Sequence, residues 1–222
     1  REWISIDSVK IENGQFTFNG ECDSARVAYL YIELPSGEKI RQPFVFENGD
    51  ISVKMDSANF IFSGTSQNDL LQSYQNEKTA FYKKAETFYN SANDSNQTAE
   101  QKADFTKKID GFNKEEIAID LKFSLNNVNS IVGTHVFMSS YYAMTIEEKE
   151  SVIKQLNAET LKISRIQDII AGIEIEKKTA KGSQFVDIKL PGLNGDSIAL
   201  SDLVGKTDYV LIDFWASWCG PC

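Results

Sequence analysis

The chain opens on short runs of alternating polar and apolar residues. Gln15-Phe16-Thr17-Phe18 alternates and ends on the turn signal Asn19-Gly20. From Arg26 to Leu34, one face carries Val27, Tyr29, Tyr31 and Glu33 and the other Ala28, Leu30, Ile32 and Leu34, until Pro35-Ser36-Gly37 breaks the run. The same period of two returns over Lys39 to Glu47, Ile51 to Met55 and Phe60 to Ser63, with Asn48-Gly49-Asp50 and Ser57-Ala58-Asn59 between them. Short strands with such frequent turns predict an antiparallel β-domain over residues 1–65, a small sandwich or a curved sheet.

The period then lengthens. Leu70, Leu71, Tyr74, Phe81, Tyr82, Ala85, Phe88 and Tyr89 recur at helical spacing, and Thr65-Ser66 is placed to cap the start. Asn90 to Gln97 is small and polar, and reads as a loop. Thr98 with Gln101 resembles a capping box opening a helix that carries Phe105, Ile109, Phe112, Ile119 and Phe123 on one face. Gly111 lies inside that helix and predicts a break there, since glycine costs ~1 kcal/mol relative to alanine. A further helix is expected from Ser130 to Ala143. Thr145 and Glu148 form another capping box, and Leu161 to Ile173 extend the helical pattern to about Glu176. Residues 66–177 therefore read as a helical region packing with the β-domain, its apolar stripes serving the core rather than a ligand.

Lys177 to Gly182 reads as a linker. Phe185-Val186-Asp187-Ile188 starts a new strand pattern, Pro191 to Asp196 a turn, and Ser197 to Leu200 its partner strand. Ser201 caps a short helical turn through Val204, ended by Gly205-Lys206. Tyr209-Val210-Leu211-Ile212-Asp213-Phe214 is nearly all apolar, as in a central strand buried on both faces. The fold class expected is α+β: the β-domain, the helical region, and over residues 178–222 a linker and the first part of an α/β domain.

Composition narrows the function classes. Of 222 residues, 41% are hydrophobic and 25% charged, which is ordinary for a globular chain. Net charge is −9, from 23 basic and 32 acidic side chains, and speaks against nucleic-acid partners, which want a basic face. No apolar run reaches the ~20 residues of a membrane span. The chain starts at Arg1 without a signal-peptide pattern, so it is expected to be a processed or trimmed form.

His135 is the lone histidine, set among Ile131, Val132 and Val136, and reads as a hydrogen-bonded structural residue. Asn93-Asp94-Ser95 and Asn96-Gln97-Thr98 match the glycosylation acceptor pattern, a weak signal in a polar loop. The isolated Cys22 reads as a packing residue or a quiet surface thiol.

Chemistry concentrates in Trp215-Ala216-Ser217-Trp218-Cys219-Gly220-Pro221-Cys222. A zinc site would need two more ligands, and only Cys22 and His135 remain, both distant in sequence, so no metal is expected. A buried strand leading into C-x-x-C points instead to dithiol chemistry. Where a helix starts at such a pair, the first thiol meets unpaired N–H groups and the positive dipole end, which favours the nucleophilic thiolate. Cys219 would attack a disulfide and Cys222, one turn on, would resolve the mixed disulfide. Pro221 suits the first helical turn, Gly220 leaves room for a partner, and Trp218 offers an aromatic wall.

The run Val210 to Cys222 resembles the active-site strand of the thioredoxin superfamily. Leu193-Asn194-Gly195 and Leu200-Ser201-Asp202-Leu203-Val204-Gly205-Lys206 resemble its TlpA/ResA-like branch. Phe16 to Gly20, Phe46 to Ile51 and Phe62 to Asn68 are similar to a β-domain of unknown function that precedes such domains. The resemblance implies a bacterial envelope or periplasmic thiol-disulfide oxidoreductase, reducing in character because Gly-Pro separates the cysteines. Catalysis would rest on Cys219 and Cys222, supported by Trp218, Gly220 and Pro221, with no cofactor beyond the dithiol itself. Implied partners are protein disulfides or thiols and an upstream electron donor, with a membrane tether before Arg1. A peroxiredoxin-like peroxidase fits less well, since that family lacks the paired motif.

The family continues past its motif with a helix, further strands and a cis-proline loop, whereas this sequence stops at Cys222. The thioredoxin-like domain is thus expected to be incomplete, the chemistry to belong to a longer parent, and this chain alone to be inactive. The alternative is that the chain is a non-enzymatic interaction module, dimerising through the open edge of its incomplete sheet.

Overall fold

A computed structural model of the chain describes residues 4–34, 36–56, 59–92, 98–192 and 194–220. Contacts divide it into two compact units, Arg1–Ile170 and Ala171–Cys222. The architecture mixes helices with small antiparallel sheets, which is α+β.

The N-terminal unit contains two hairpins rather than a many-stranded sandwich. β1 (Arg26–Glu33) pairs with β2 (Lys39–Phe46), and β3 (Ser52–Asp56) pairs with β4 (Asn59–Ser63), each antiparallel and each in its own two-stranded sheet. Ile32, Phe60 and Phe62 form a buried cluster joined by Leu30, Leu34, Ile40, Phe44, Ile51 and Val53. The face of β1 read from the alternation, Leu30-Ile32-Leu34, is therefore the inward one, and Tyr31 points outward, 54% exposed. Gln15 to Phe18, expected to be a strand, makes a single bridge from Gln15 back to Glu12 across Asn13-Gly14, both at positive φ. With no second ladder partner among the described residues, an alternating run does not become a strand.

Side chains close the open edges of these hairpins. The outward-facing backbone of Val45 donates its N–H to Asn68 Oδ1 at 2.9 Å and accepts from Asn68 Nδ2 at 2.8 Å. Pro43, two residues earlier on that edge, has no N–H to offer. Gln72 Oε1, one helical turn beyond Asn68, accepts from Phe62 N–H at 2.8 Å. One helix thus supplies a side-chain neighbour to an edge residue of each hairpin, Val45 and Phe62.

That helix is α1 (Ser66–Ala92), followed by α2 (Ala99–Asn126), α3 (Ile131–Ser140), a 3₁₀ turn (Tyr141–Ala143), α4 (Ile146–Ile153), α5 (Ala158–Leu161) and α6 (Ser164–Lys178). α1 begins directly after Thr65, whose carbonyl accepts the Asp69 N–H. α2 runs through Gly111 without the predicted break. A Cβ there would meet only open space, so the glycine lies on an uncrowded face and its cost is absorbed by the long helix around it. Ser130 caps α3 by accepting the Gly133 N–H, and the Thr145/Glu148 capping box opens α4, with both of its bonds formed. Gly133 allows the α2–α3 corner: a side chain there would collide with the carbonyl of Asn127. The core joins Val45, Leu71, Phe123, Val132 and Val136, with Phe137, Ile166 and Ile169 also sealed from solvent. The loop expected over Asn90 to Gln97 starts later, since α1 reaches Ala92; both glycosylation patterns rest on residues 93–97, outside the described residues.

The C-terminal unit holds one hairpin, β5 (Lys189–Pro191) with β6 (Ser197–Ala199), followed by a 3₁₀ turn at Leu200–Asp202. The strand expected over Phe185 to Ile188 is displaced: pairing starts at Lys189, and Ile188 contributes its carbonyl to Leu200 N–H at 2.9 Å. Tyr209 to Phe214 is not a strand, because it pairs with no strand among the described residues. It keeps a strand-like alternation all the same, with Tyr209 and Leu211 at 92% and 95% exposure and Val210 and Ile212 at 37% and 45%.

Candidate functional site: the Trp218-Cys219 turn

The candidate site is built from the β5–β6 hairpin and the chain that runs past it. Asp187 accepts both the Ser201 N–H at 2.8 Å and the Ser201 hydroxyl at 2.7 Å, tying the 3₁₀ turn to the entry of the hairpin. Those bonds hold its carboxyl below its ordinary pKa. Ser201 was expected to cap the turn; it sits inside the turn and Asp187 does the holding. Asp202 accepts the Ala199 N–H at 2.9 Å. Val210 and Ile212 face Ile188, Leu190, Ile198 and Leu203 across an apolar concavity of about 380 Å³.

The chain then turns. Cys219 N–H donates to the Ala216 carbonyl at 2.9 Å, so Ser217 and Trp218 occupy the centre of a tight turn. Trp218 is 87% exposed, Gly220 is exposed, and Cys219 is half-buried and disulfide-bonded. Pro221 and Cys222 lie outside the described residues. Residues 216–220 form a turn and no helix, so a dipole contribution to the Cys219 thiol has no structural basis among them. What the arrangement offers chemically is a sulfur at an exposed turn beside an aromatic surface.

The third cysteine has a different environment. Cys22 is a buried free thiol. Its backbone N–H and carbonyl pair with the Asn48 carboxamide at 3.0 Å each, and its Sγ lies 3.7 Å from the Phe46 carbonyl. This is a packed residue continuing the edge of β2. His135 is half-buried, and burial alone holds its imidazole below the ordinary pKa. The expected hydrogen bond to its ring is not formed among the described residues. No group of three or more His, Cys, Asp or Glu that could hold a metal ion is present among the described residues, and no helix among them is long and apolar enough to cross a membrane.

A second titratable cluster escaped the sequence reading. Between α1 and α2, Lys78 Nζ reaches Glu116 Oε1 at 2.6 Å and Asp120 Oδ1 at 3.0 Å. Tyr74 donates to Asp120 at 2.8 Å, and Tyr82 donates to Glu116. Burial opposes charge on Lys78, but the bonds to both carboxylates outweigh it and hold its pKa above the ordinary value. Burial would likewise raise Glu116, yet hydrogen bonds from Lys78 and Tyr82 keep it below the ordinary carboxyl value. Burial, then the Asp120 charge and hydrogen bond, pushes the Tyr74 phenol far above its usual range. The signal was present in the sequence: Lys78, Glu116 and Asp120 interrupt apolar stripes at helical spacing. On its other side, α2 borders an open groove of about 750 Å³ that includes Ile117, Leu121 and Leu125.

Comparisons with known proteins add two findings. Residues 1–71 match the profile of a domain of unknown function, DUF4369, covering both hairpins and the start of α1. Together with the relatives, this supports a thioredoxin-like protein. The chain is similar to "Thioredoxin-like protein YneN" of Bacillus subtilis (strain 168), 45% identical over 42 residues, 19% of this chain and 24% of that protein. It is also similar to "Thioredoxin" of Mycolicibacterium smegmatis, 59% identical over 22 residues, 10% of this chain and 20% of that protein. The chain therefore spans about a quarter or less of the length of these curated relatives. No solved structure matches.

Proposed function

We propose that this chain is part of a thiol-disulfide oxidoreductase of the TlpA/ResA-like kind, working in the bacterial envelope in a reducing direction. The observation that carries the reading is the disulfide-bonded Cys219 in an exposed turn beside Trp218, within Trp218-Cys219-Gly220-Pro221-Cys222. The names of the relatives and the match over residues 1–71 support the class.

In the proposed cycle the Cys219 thiolate attacks one sulfur of a substrate disulfide. A Cys219–substrate S–S bond forms, the substrate's own S–S bond breaks, and the leaving thiolate takes a proton. Cys222 then attacks Cys219 Sγ, expelling the second substrate thiol and closing the Cys219–Cys222 disulfide. Two electrons have passed from the dithiol to the substrate, and an upstream thiol donor restores them. No cofactor beyond the dithiol takes part. Trp218 would lie against the substrate backbone, and Gly220 and Pro221 would shape the approach.

The test is disulfide reduction, with insulin as substrate, by the native polypeptide that carries this chain. Cys219→Ser should lower the rate at least a hundredfold, because the attacking sulfur is gone. An unchanged rate would sink the proposal. A second reading, an interaction or dimerisation module, is favoured by the exposed apolar row Tyr209, Leu211, Phe214 and Trp215. Light scattering separates the two, since a strict monomer counts against the module.

A further inference from the structure

The contact between α1 and α2 is built in layers. On α1, Leu71, Tyr74, Lys78, Phe81 and Ala85 follow the alternating three- and four-residue spacing of a coiled-coil seam. On α2, Phe112, Glu116, Ile119 and Phe123 do the same. The helices run antiparallel: Tyr74 meets Phe123 at 4.7 Å between ring centroids, and Phe81 meets Phe112 at 6.1 Å. Further along, Lys84 Nζ reaches Glu115 Oε1 at 2.8 Å on the exposed flank. Leu71, Phe81, Ala85 and Phe123 are buried. Between the two aromatic layers sits the layer of Lys78, Glu116 and Asp120, with the side chains of Lys78 and Asp120 only 12% and 10% exposed.

The aromatic layers alone do not define a register. Slid along α2 by about two turns, α1 would bring Phe81 level with Phe123, an aromatic layer much like the observed one. What the slid arrangement cannot keep is the polar layer. Lys78 would move to the level of Asn126 at the end of α2, while Ala85 would replace it opposite Glu116 and Asp120, and Phe81 would replace the Tyr74 hydroxyl that serves Asp120. A buried charge stripped of its partners is the costliest outcome available to such a seam. A single polar residue at a seam position is an attested way to fix register at some expense in stability.

We propose that the layer of Lys78, Glu116 and Asp120, with the hydroxyls of Tyr74 and Tyr82, is a register clasp that selects one alignment of α1 against α2. Its contribution lies in the selection more than in net stability. Through α1 it also sets which residues stand opposite the hairpin edges, since Asn68 and Gln72 belong to the same helix.

The test compares three variants of the whole chain, with carbodiimide coupling of Lys84 to Glu115, mapped by mass spectrometry, as the readout of register. Lys78→Met alone should lower the urea midpoint, since it strands two carboxylates. The combined variant Tyr74→Phe, Lys78→Met, Glu116→Leu, Asp120→Leu should recover the midpoint to the native value or above. In that variant the Lys84–Glu115 product should fall at least fivefold, and the amide spectrum should show doubled or broadened resonances for α1 and α2. Exchanging the charges, Lys78→Glu with Glu116→Lys, should restore a single product. The proposal is overturned if the combined variant keeps full Lys84–Glu115 coupling and one set of resonances. It is equally overturned if that variant is no more stable than Lys78→Met, or if the charge exchange slips as the apolar variant does.

Discussion

The two units of this chain treat similar side chains in opposite ways. In the N-terminal unit, Val45, Val132, Phe137 and Ile166 are wholly removed from solvent. In the C-terminal unit, Tyr209 and Leu211, set in a nearly all-apolar run of sequence, stand 92% and 95% exposed. Intrinsic preference does not separate them, for Tyr-Val-Leu-Ile is as strong a strand former as anything between Arg26 and Phe46. Neighbours do. The N-terminal hairpins have Asn68 and Gln72 at their edges, and residues of three helices pack against Val45 of β2, whereas the segment from Tyr209 has one short hairpin beside it. A strand is a relation between segments, and its residues acquire burial only when the partner is present.

Edge completion by α1 is the part of this contrast most open to attack. Asn68→Ala would leave both the N–H and the carbonyl of Val45 buried without partners. Each orphaned group costs ~1–3 kcal/mol, so a loss of ~2–6 kcal/mol is expected from urea unfolding, with the m-value unchanged. A loss under ~0.5 kcal/mol would mean that water serves that edge as well as Asn68 does, and the contrast with the C-terminal unit would shrink to apolar cover alone.

What was legible in the sequence divides along the same line. The four N-terminal strands and the helices could be read because each rests on local information: period two, period 3.6, and caps such as Ser130 and the Thr145/Glu148 box. The two faces of β1 could be separated for the same reason, though not which of them turns inward. Two features could not. That the strands form two separate hairpins depends on which segments find partners, and alternation at Gln15 to Phe18 or Tyr209 to Phe214 is silent on that. The roles of Asn68 and Lys78 depend on what stands across from them, 23 residues away in one case and 42 in the other. At the candidate site, the Cys219-Gly220-Pro221-Cys222 spacing was plain to read, while the turn conformation at Ala216 to Cys219 was not.

Burial in the N-terminal unit also carries a pH signature that the exposed unit has no means to imitate with an imidazole, since the single histidine is His135. Its pKa is held below the ordinary value near 6.5 by burial. Between the two values the unfolded chain binds a proton that the folded chain resists, so stability falls as pH drops below about 6.5 and levels off once the folded group also protonates. Urea midpoints taken at pH 7.5 and 5.5 should therefore differ, and His135→Gln should flatten that part of the dependence. An identical slope in the variant would assign the acid sensitivity to carboxylates instead.

The smallest expected effect tests the exposed side of the comparison. Leu211 stands almost entirely in solvent, and substitutions at such positions usually change stability by less than ~0.5 kcal/mol. Leu211→Ser should leave the unfolding midpoint unchanged, and so differ sharply from Asn68→Ala although leucine is the more apolar residue. Measured at micromolar concentration beside light scattering, the variant also speaks to association. If Leu211→Ser destabilises the chain and removes a dimer together, the row Tyr209, Leu211, Phe214 and Trp215 is covered in solution by a second molecule. Exposure in the C-terminal unit would then be a property of the isolated chain, and the interaction-module reading would gain what the oxidoreductase reading does not need.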